Sequence, residues 1–292
     1  MNRTNGYDKL LHSLMDEFVN YSSAPDLGSA TLQTVGLDGL EGEFNKLGPT
    51  KESQLRVISG IASLINRAGA NKLLQNYSLS RTSREIVVRS SSQFFSISAG
   101  HAVPLARVVC ELCKIKPDLG DLIKSYFYKY SVLTIPYFGL EASSTNDLCQ
   151  LLGFESIIEQ DGRRNWEPYE KWLGRQMKII VTFFTVMIQP EAFPFGLNDA
   201  YIWLVNVINM ISKGTTSAPT FVAPLLDNVL RTIGAQMFES YGDRLISLLR
   251  IISDEIMHRL DVKSPKAKIE LKRLEQFLKA ATAANGRKFL TL

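Results

Sequence analysis

The chain has 292 residues, 45% of them hydrophobic, and a formal net charge of +4. That is enough apolar material for one large core, which excludes a disordered chain, while 19 glycines and 11 prolines exclude collagen-like or low-complexity organisation. The charge is too small for the dense basic face of a duplex-binding protein. It is also unevenly spread. Residues 1–47 hold three basic residues (Arg3, Lys9, Lys46) against seven acidic ones, a net of −4, so the remainder carries +8. An acidic arm thus precedes a basic body suited to an acidic partner. Three cysteines, Cys110, Cys113 and Cys149, argue against a disulfide framework and for a reducing compartment. The N-terminus opens on a mixed polar stretch, not an apolar signal core. The longest apolar run, Met177 to Ile188, is interrupted by Lys178, Thr182 and Thr185 and spans about 12 residues against the roughly 20 needed to cross a bilayer, so it reads as a buried core helix.

In chain order, the expected elements are almost all helical. Residues 1–47 read as one short helix over about 6–20 followed by a Gly-rich acidic arm, and residues 48–292 as the helical body. Residues 52–67 place Leu55, Ile58, Ile61, Ala62 and Ile65 on one face. A serine-rich helix carrying Arg81, Arg84 and Arg89 comes next, then a helix over 104–115 starting at Pro104, and after Pro117 another from Asp118 to Tyr130. Val132 to Tyr137 is the one modest strand candidate. Trp166 to Ile188 reads as a long central helix, or two joined at Gly174. Asn198 or Asp199 caps a helix through Trp203 and Ile208. Ala218 to Phe238 makes another, entered through Pro219 and bent at Pro224, and 242–260 and 265–284 close the chain. Helices of this length on short connections imply an all-α fold, an irregular HEAT-like solenoid without a fixed-period repeat.

No catalytic constellation emerges from the sequence. Cys110-Glu-Leu-Cys113 has redox or zinc spacing but lies inside an amphipathic helix and lacks a second ligand pair, so it reads as core packing. His12, His101 and His258 sit apart from any nucleophile. Neither a Gly-x-Ser-x-Gly elbow nor a phosphate loop occurs. The expectation is a protein that binds and does not catalyse, with no metal. The most suggestive polar feature is the set Arg81, Arg84, Arg89, Lys124 and Lys129, on two helices, which could hold a polyanion. Tyr126, Phe127, Tyr128 and Tyr130 follow at helical spacing and read as core or interface aromatics more readily than as base-stacking ones.

Residues 99–122, with Ala102-Val-Pro104-Leu-Ala106 leading to Pro117-Asp-Leu-Gly-Asp-Leu122, resemble a stretch of the GLFG-lethal (GLE) mRNA export factors. Further similar segments follow in order: Ile135-Pro136-Tyr137, Leu152-Gly153-Phe154, Gly196-Leu197-Asn198 with Trp203-Leu204 and Ile208-Asn209-Met210, Leu271 to Leu278, and the tail Gly286 to Leu292. Together they cover about residues 50–292. The resemblance implies a HEAT-like C-terminal domain similar to the middle domains of translation initiation factors. It implies binding and activation of a DEAD-box RNA helicase at the cytoplasmic face of the nuclear pore, so that proteins are stripped from exported mRNA. Inositol hexakisphosphate as a bridging ligand and a Phe-Gly nucleoporin as a docking partner are implied as well, with Arg89 and Lys129 the first candidate ligand contacts and Arg81, Arg84 and Lys124 additional ones. The chain departs from the family where adjacent basic residues beside a cysteine are common; it reads Tyr128-Lys129-Tyr130. Residues 1–47 are also too short for the family's coiled-coil extension. The fold alone would equally suit a general helical adaptor in translation initiation or nuclear transport.

Overall fold

The computed structural model describes residues 39–69, 71–91, 99–136, 145–159, 164–189, 196–213, 218–260 and 265–283. The helix expected over 6–20, His12, Tyr137 and the tail 286–292 lie outside the described residues. The helices are α1 (Leu40–Phe44), α2 (Lys51–Asn66), α3 (Lys72–Ser91), α4 (Ala99–Ile115), α5 (Asp118–Tyr130), α6 (Thr145–Leu151), α7 (Tyr169–Met187), α8 (Leu197–Lys213), α9 (Val222–Tyr241), α10 (Asp243–Ile251) and α11 (Pro265–Ala283). A small antiparallel hairpin, β1 (Ser156–Ile158) and β2 (Arg164–Trp166), pairs Ile157 with Asn165. The fold is all-α.

Alternate helices form a row in which α2, α4, α7, α9 and α11 each pack on the next. On the N-terminal half α3 lies against α5, α2 and α7; on the C-terminal half α10 lies against α9 and α11. The middle of the row is α7, and 13 of its 19 residues are buried. A helix apolar on nearly every side has to sit between other elements, and the run Met177 to Ile188 is the core helix that its composition demanded. It passes through Gly174 without a break.

Local chemistry sets the ends. Thr50 caps α2 by accepting from the Ser53 amide at 3.2 Å. Asp199 reaches back to the Gly196 amide at 2.9 Å, the returning half of a capping box, so α8 starts at Leu197 with Asp199 in its first turn and not as its cap. Pro224 falls in the first turn of α9, where its missing N–H costs no intrahelical bond, and the helix continues without a break to Tyr241. Gly242, at φ +49°, turns the chain into α10.

Several expectations are corrected. α4 begins at Ala99, not Pro104, which lies within the helix. The core face of α2 is rotated: Val57 and Leu64 join Ile58, Ile61 and Ile65 inside, whereas Leu55 is 54% exposed. Val132 to Thr134 form a 3-10 turn, closed by the Thr134 amide on the Ser131 carbonyl at 3.0 Å, and the strands occur instead at 156–158 and 164–166. The helix expected over 242–260 changes to a π turn at Ile252–Ile256 and a 3-10 turn at Met257–Arg259. The change keeps Ile252 and Ile256 both buried and lets the Arg259 carbonyl accept from Ala218 at 2.8 Å. Residues 39–47, expected to end the acidic arm, belong to the packed body: Leu40 and Phe44 are buried and α1 rests on α2.

Candidate functional site

The five cations singled out from the sequence lie on α3 and α5. The two helices are joined by Ser80 Oγ and Tyr126 Oη, 2.7 Å apart, and by Arg84 Nε donating to Tyr130 Oη at 3.1 Å. Both bonds step by four residues on each helix, so α3 and α5 run parallel. The buried Gln176 of α7 closes this end by donating to the Tyr130 carbonyl at 3.3 Å. Tyr126 and Phe127 are core residues, Phe127 against Phe183 at 5.1 Å between ring centres. The aromatic run therefore holds the helix pair and is not a free stacking surface.

Arg84 stands exposed at the α5 end of the pair, where Lys129 is exposed one residue before Tyr130. The bond to Tyr130 raises the Arg84 pKa further above its already high value, so its charge is permanent. Arg81 and Lys124 are half-buried on the same helices. Arg89 is elsewhere. It lies five residues beyond Arg84, which is about 7.5 Å along the axis and about 140° around it. Its side chain is only 15% exposed, and the guanidinium donates to Glu85 at 2.8 Å, to Asn45 Oδ1 at 2.5 Å and to the Glu41 carbonyl at 3.2 Å. Arg89 thus clamps α1 to α3 and is set among carboxylates. The structure brings Arg84 and Lys129 to one end of the pair and separates Arg89 from them. The Glu85 partner stands at i,i+4 spacing and is legible in the sequence, but Asn45 and Glu41 lie more than forty residues upstream, and no sequence signal could show that they meet Arg89. Replacing Arg89 with Ala is expected to cost about 2 kcal/mol, the worth of losing charge-assisted bonds at a mostly buried donor. Hydrogen exchange at the amides of residues 40–47 should rise with it; unchanged exchange there would show that α1 is held by Leu40 and Phe44 alone.

A second polar cluster, not anticipated, joins α7 to the segment before β1. The Leu152-Gly153-Phe154 step turns at Gly153, φ +73°. Trp172 Nε1 donates to the Leu152 carbonyl at 2.8 Å, Arg175 donates to the Gly153 carbonyl at 2.9 Å, and Phe154 stacks on Trp172 at 4.5 Å. Arg175 also pairs with Glu167, whose side chain is 4% exposed, and Glu167 accepts from the Glu155 amide at 2.7 Å. Lys171 and Glu155 complete the cluster at 3.2 Å.

The thiols are not poised for chemistry. Burial pushes both Cys110 and Cys113 up to about 12, since an apolar surrounding disfavours the thiolate. Among the described residues, no group of three or more His, Cys, Asp or Glu could hold a metal ion, and no helix is long and apolar enough to cross a membrane.

Comparison with known proteins adds two relatives, a solved structure and a family profile. The Drosophila melanogaster mRNA export factor Gle1 is 25% identical over 196 residues, covering 63% of this chain and 28% of that protein. The Mus musculus mRNA export factor GLE1 is 25% identical over 191 residues, covering 61% and 25%. The chain therefore spans about a quarter of the length of these relatives. Among solved structures, a chain of the complex described as the S. cerevisiae Dbp5 C-terminal domain, an L-to-V variant, bound to Gle1 and IP6 superposes with a TM-score of 0.81 at 16% identity, over 97% of both chains. That likeness carries the fold. The sequence profile described as GLE1-like protein matches residues 41–253, a span that begins inside α1, takes in both the α3–α5 pair and the Trp172 cluster, and ends in the π turn. A match over that much of the chain establishes that it belongs to the GLE1-like protein family.

Proposed function

We propose that this chain is the helicase-binding domain of an mRNA export factor. It catalyses nothing itself; it binds a DEAD-box RNA helicase and stimulates the helicase's ATPase cycle, so that proteins leave exported mRNA. The observation that carries the reading is the family match over residues 41–253, and the likeness of fold to a chain of a complex containing Dbp5, Gle1 and IP6 supports it. On this reading the domain works at the cytoplasmic face of the nuclear pore, with a Phe-Gly nucleoporin and translation factors as further partners.

Inositol hexakisphosphate is the proposed bridging ligand. The residues at the Tyr130 end of the α3–α5 pair fit such a group: Arg84 and Lys129 are exposed there, with Arg81 and Lys124 on the same helices. They would hold phosphates through charge-assisted hydrogen bonds. Arg89 does not fit as a free donor, because Glu85 and Glu41 already engage it and would repel phosphate. Its part is to hold α1 in place. The ligand itself supplies dense negative charge between two basic protein surfaces.

The test is the RNA-dependent ATPase rate of the cognate helicase with and without the purified chain and inositol hexakisphosphate. Stimulation of about 5-fold or more is expected, the lower end of ordinary coupling between sites. Changing Arg84 and Lys129 to Ala together should weaken the inositol hexakisphosphate complex by about tenfold or more, with a steep salt dependence in the parent. Absence of both stimulation and a complex by gel filtration would sink the proposal.

A further inference from the structure

A second basic site lies away from the α3–α5 pair, in a groove between α2 and α4. Lys51, Gln54, Leu55 and Ile58 line one wall, and Arg107, Cys110, Glu111 and Lys114 the other, around a volume of about 510 Å³. Each set is spaced i, i+3, i+4, i+7, so each wall is one stripe of one helix. Gln189, just past the end of α7, closes a third side. The volume lies within the range of protein ligand sites.

The floor and rim differ in kind. Leu55 is 54% exposed, although Leu64 on the opposite side of the same helix is buried, and with Ile58 and Cys110 it gives the groove an apolar floor. Lys51, Arg107 and Lys114 stand on the rim against a single acid, Glu111, which accepts from Lys114 at 2.8 Å. Lys51 and Arg107 are exposed, and neither has a carboxylate partner among the described residues. Arg107 and Lys114 are seven residues apart, about 10.5 Å along the axis, which matches carboxylates two turns apart on a facing helix.

This combination discriminates between ligands. A dense polyanion would meet Glu111 and leave the apolar floor wet. An amphipathic helix that is acidic along its flanks and carries leucine-sized side chains on one face would satisfy both floor and rim. We infer that the α2–α4 groove docks a short acidic, leucine-rich helix of a partner protein, its apolar side chains on Leu55, Ile58 and Cys110 and its carboxylates on Lys51, Arg107 and Lys114. The site is separate from the proposed inositol hexakisphosphate contacts, and its existence does not depend on the helicase reading.

The experiment uses the full chain and a fluorescein-labelled peptide, Leu-Glu-Asp-Leu-Leu-Glu-Asp-Leu-Leu-Glu-Asp-Leu, followed by anisotropy. Saturable binding is expected, weakened by about tenfold or more in the Lys51→Glu/Arg107→Glu variant. Leu55→Asp should weaken it separately, because it places a charge on the floor that faces the peptide's leucines. A twin peptide with lysine at every acidic position should not bind. All three substituted residues are exposed, so the variants should keep the parent's helical circular dichroism and melting temperature. The inference is overturned by no binding to the parent chain, by equal binding to the double variant, or by equal binding of the lysine twin. It is also overturned if inositol hexakisphosphate displaces the peptide from the parent and itself loses affinity in the double variant, which would make the groove a polyanion site.

Discussion

Replacing Trp172 with alanine is expected to lower the stability of the domain by about 5 kcal/mol, the sum of a large-to-small core substitution and one orphaned carbonyl. Trp172 is fully buried, sits between Phe154 and Phe221, and donates to the Leu152 carbonyl. The substitution removes a stacked contact with Phe154 and an edge-on contact with Phe221, and leaves that carbonyl unpaired away from water. Whole domains are stable by only about 5–15 kcal/mol, so a loss of this size should lower the melting temperature by about 10–20 °C. Trp172→Phe keeps most of the packing and gives up only the hydrogen bond, so it should cost about 1–2 kcal/mol. Chemical denaturation of the three proteins provides the check. A Trp172→Ala protein within about 1 kcal/mol of the parent would mean that the surroundings collapse to fill the space, and that Phe154 is held by something other than the stack.

The second large effect concerns Glu167 and Arg175. Replacing Glu167 alone with Leu should cost about 3 kcal/mol, because Arg175 is left with a mostly buried charge and only the more distant Glu155, at 3.5 Å, to meet it. The double replacement Glu167→Leu/Arg175→Leu should cost less than that single one, since neither charge then remains to be solvated. A double-mutant cycle should give a coupling of about 2 kcal/mol. If the two single costs simply add, the pair does not act as a unit, and the Glu155 amide and the Gly153 carbonyl account for what each residue does.

Helices bounded by strong signals were readable from the sequence. Asp118–Tyr130 starts after Pro117 and carries an amphipathic period throughout, and the structure has it at those residues. The central helix followed from an apolar run too short for a membrane and too long for a strand. What failed was finer. The face of α2 was misplaced because periodicity counts every aliphatic residue alike, and Leu55 fits the stripe as well as Val57 or Leu64 until a neighbouring helix decides which are covered. The hairpin was invisible because its strands have three residues each and expose nearly all of them, leaving no alternation to detect. The strand expected from Val132 was misread for the opposite reason: the β-branched Val132, Thr134 and Ile135 gather where the chain, over the described residues 132–136, merely turns.

The basic residues divide in the same way. Arg84 and Lys129 could be placed on helices from spacing alone, but their meeting at one end depends on α3 and α5 running parallel, which is a tertiary fact. Arg89 carries the same charge as Arg84 and differs only in what folds against it. The α2–α4 groove was written in the sequence as two i, i+3, i+4, i+7 stripes, yet only packing brings the stripes face to face.

The position of α7 bears on how the protein melts. Helices of both halves rest on it, α3 and α4 from one side and α8 and α9 from the other. In a simple stack of repeats one end can fray while the other stays folded. Here neither half retains a finished interior if α7 leaves, so the halves share one cooperative unit, and local opening is confined to segments that do not touch that shared helix.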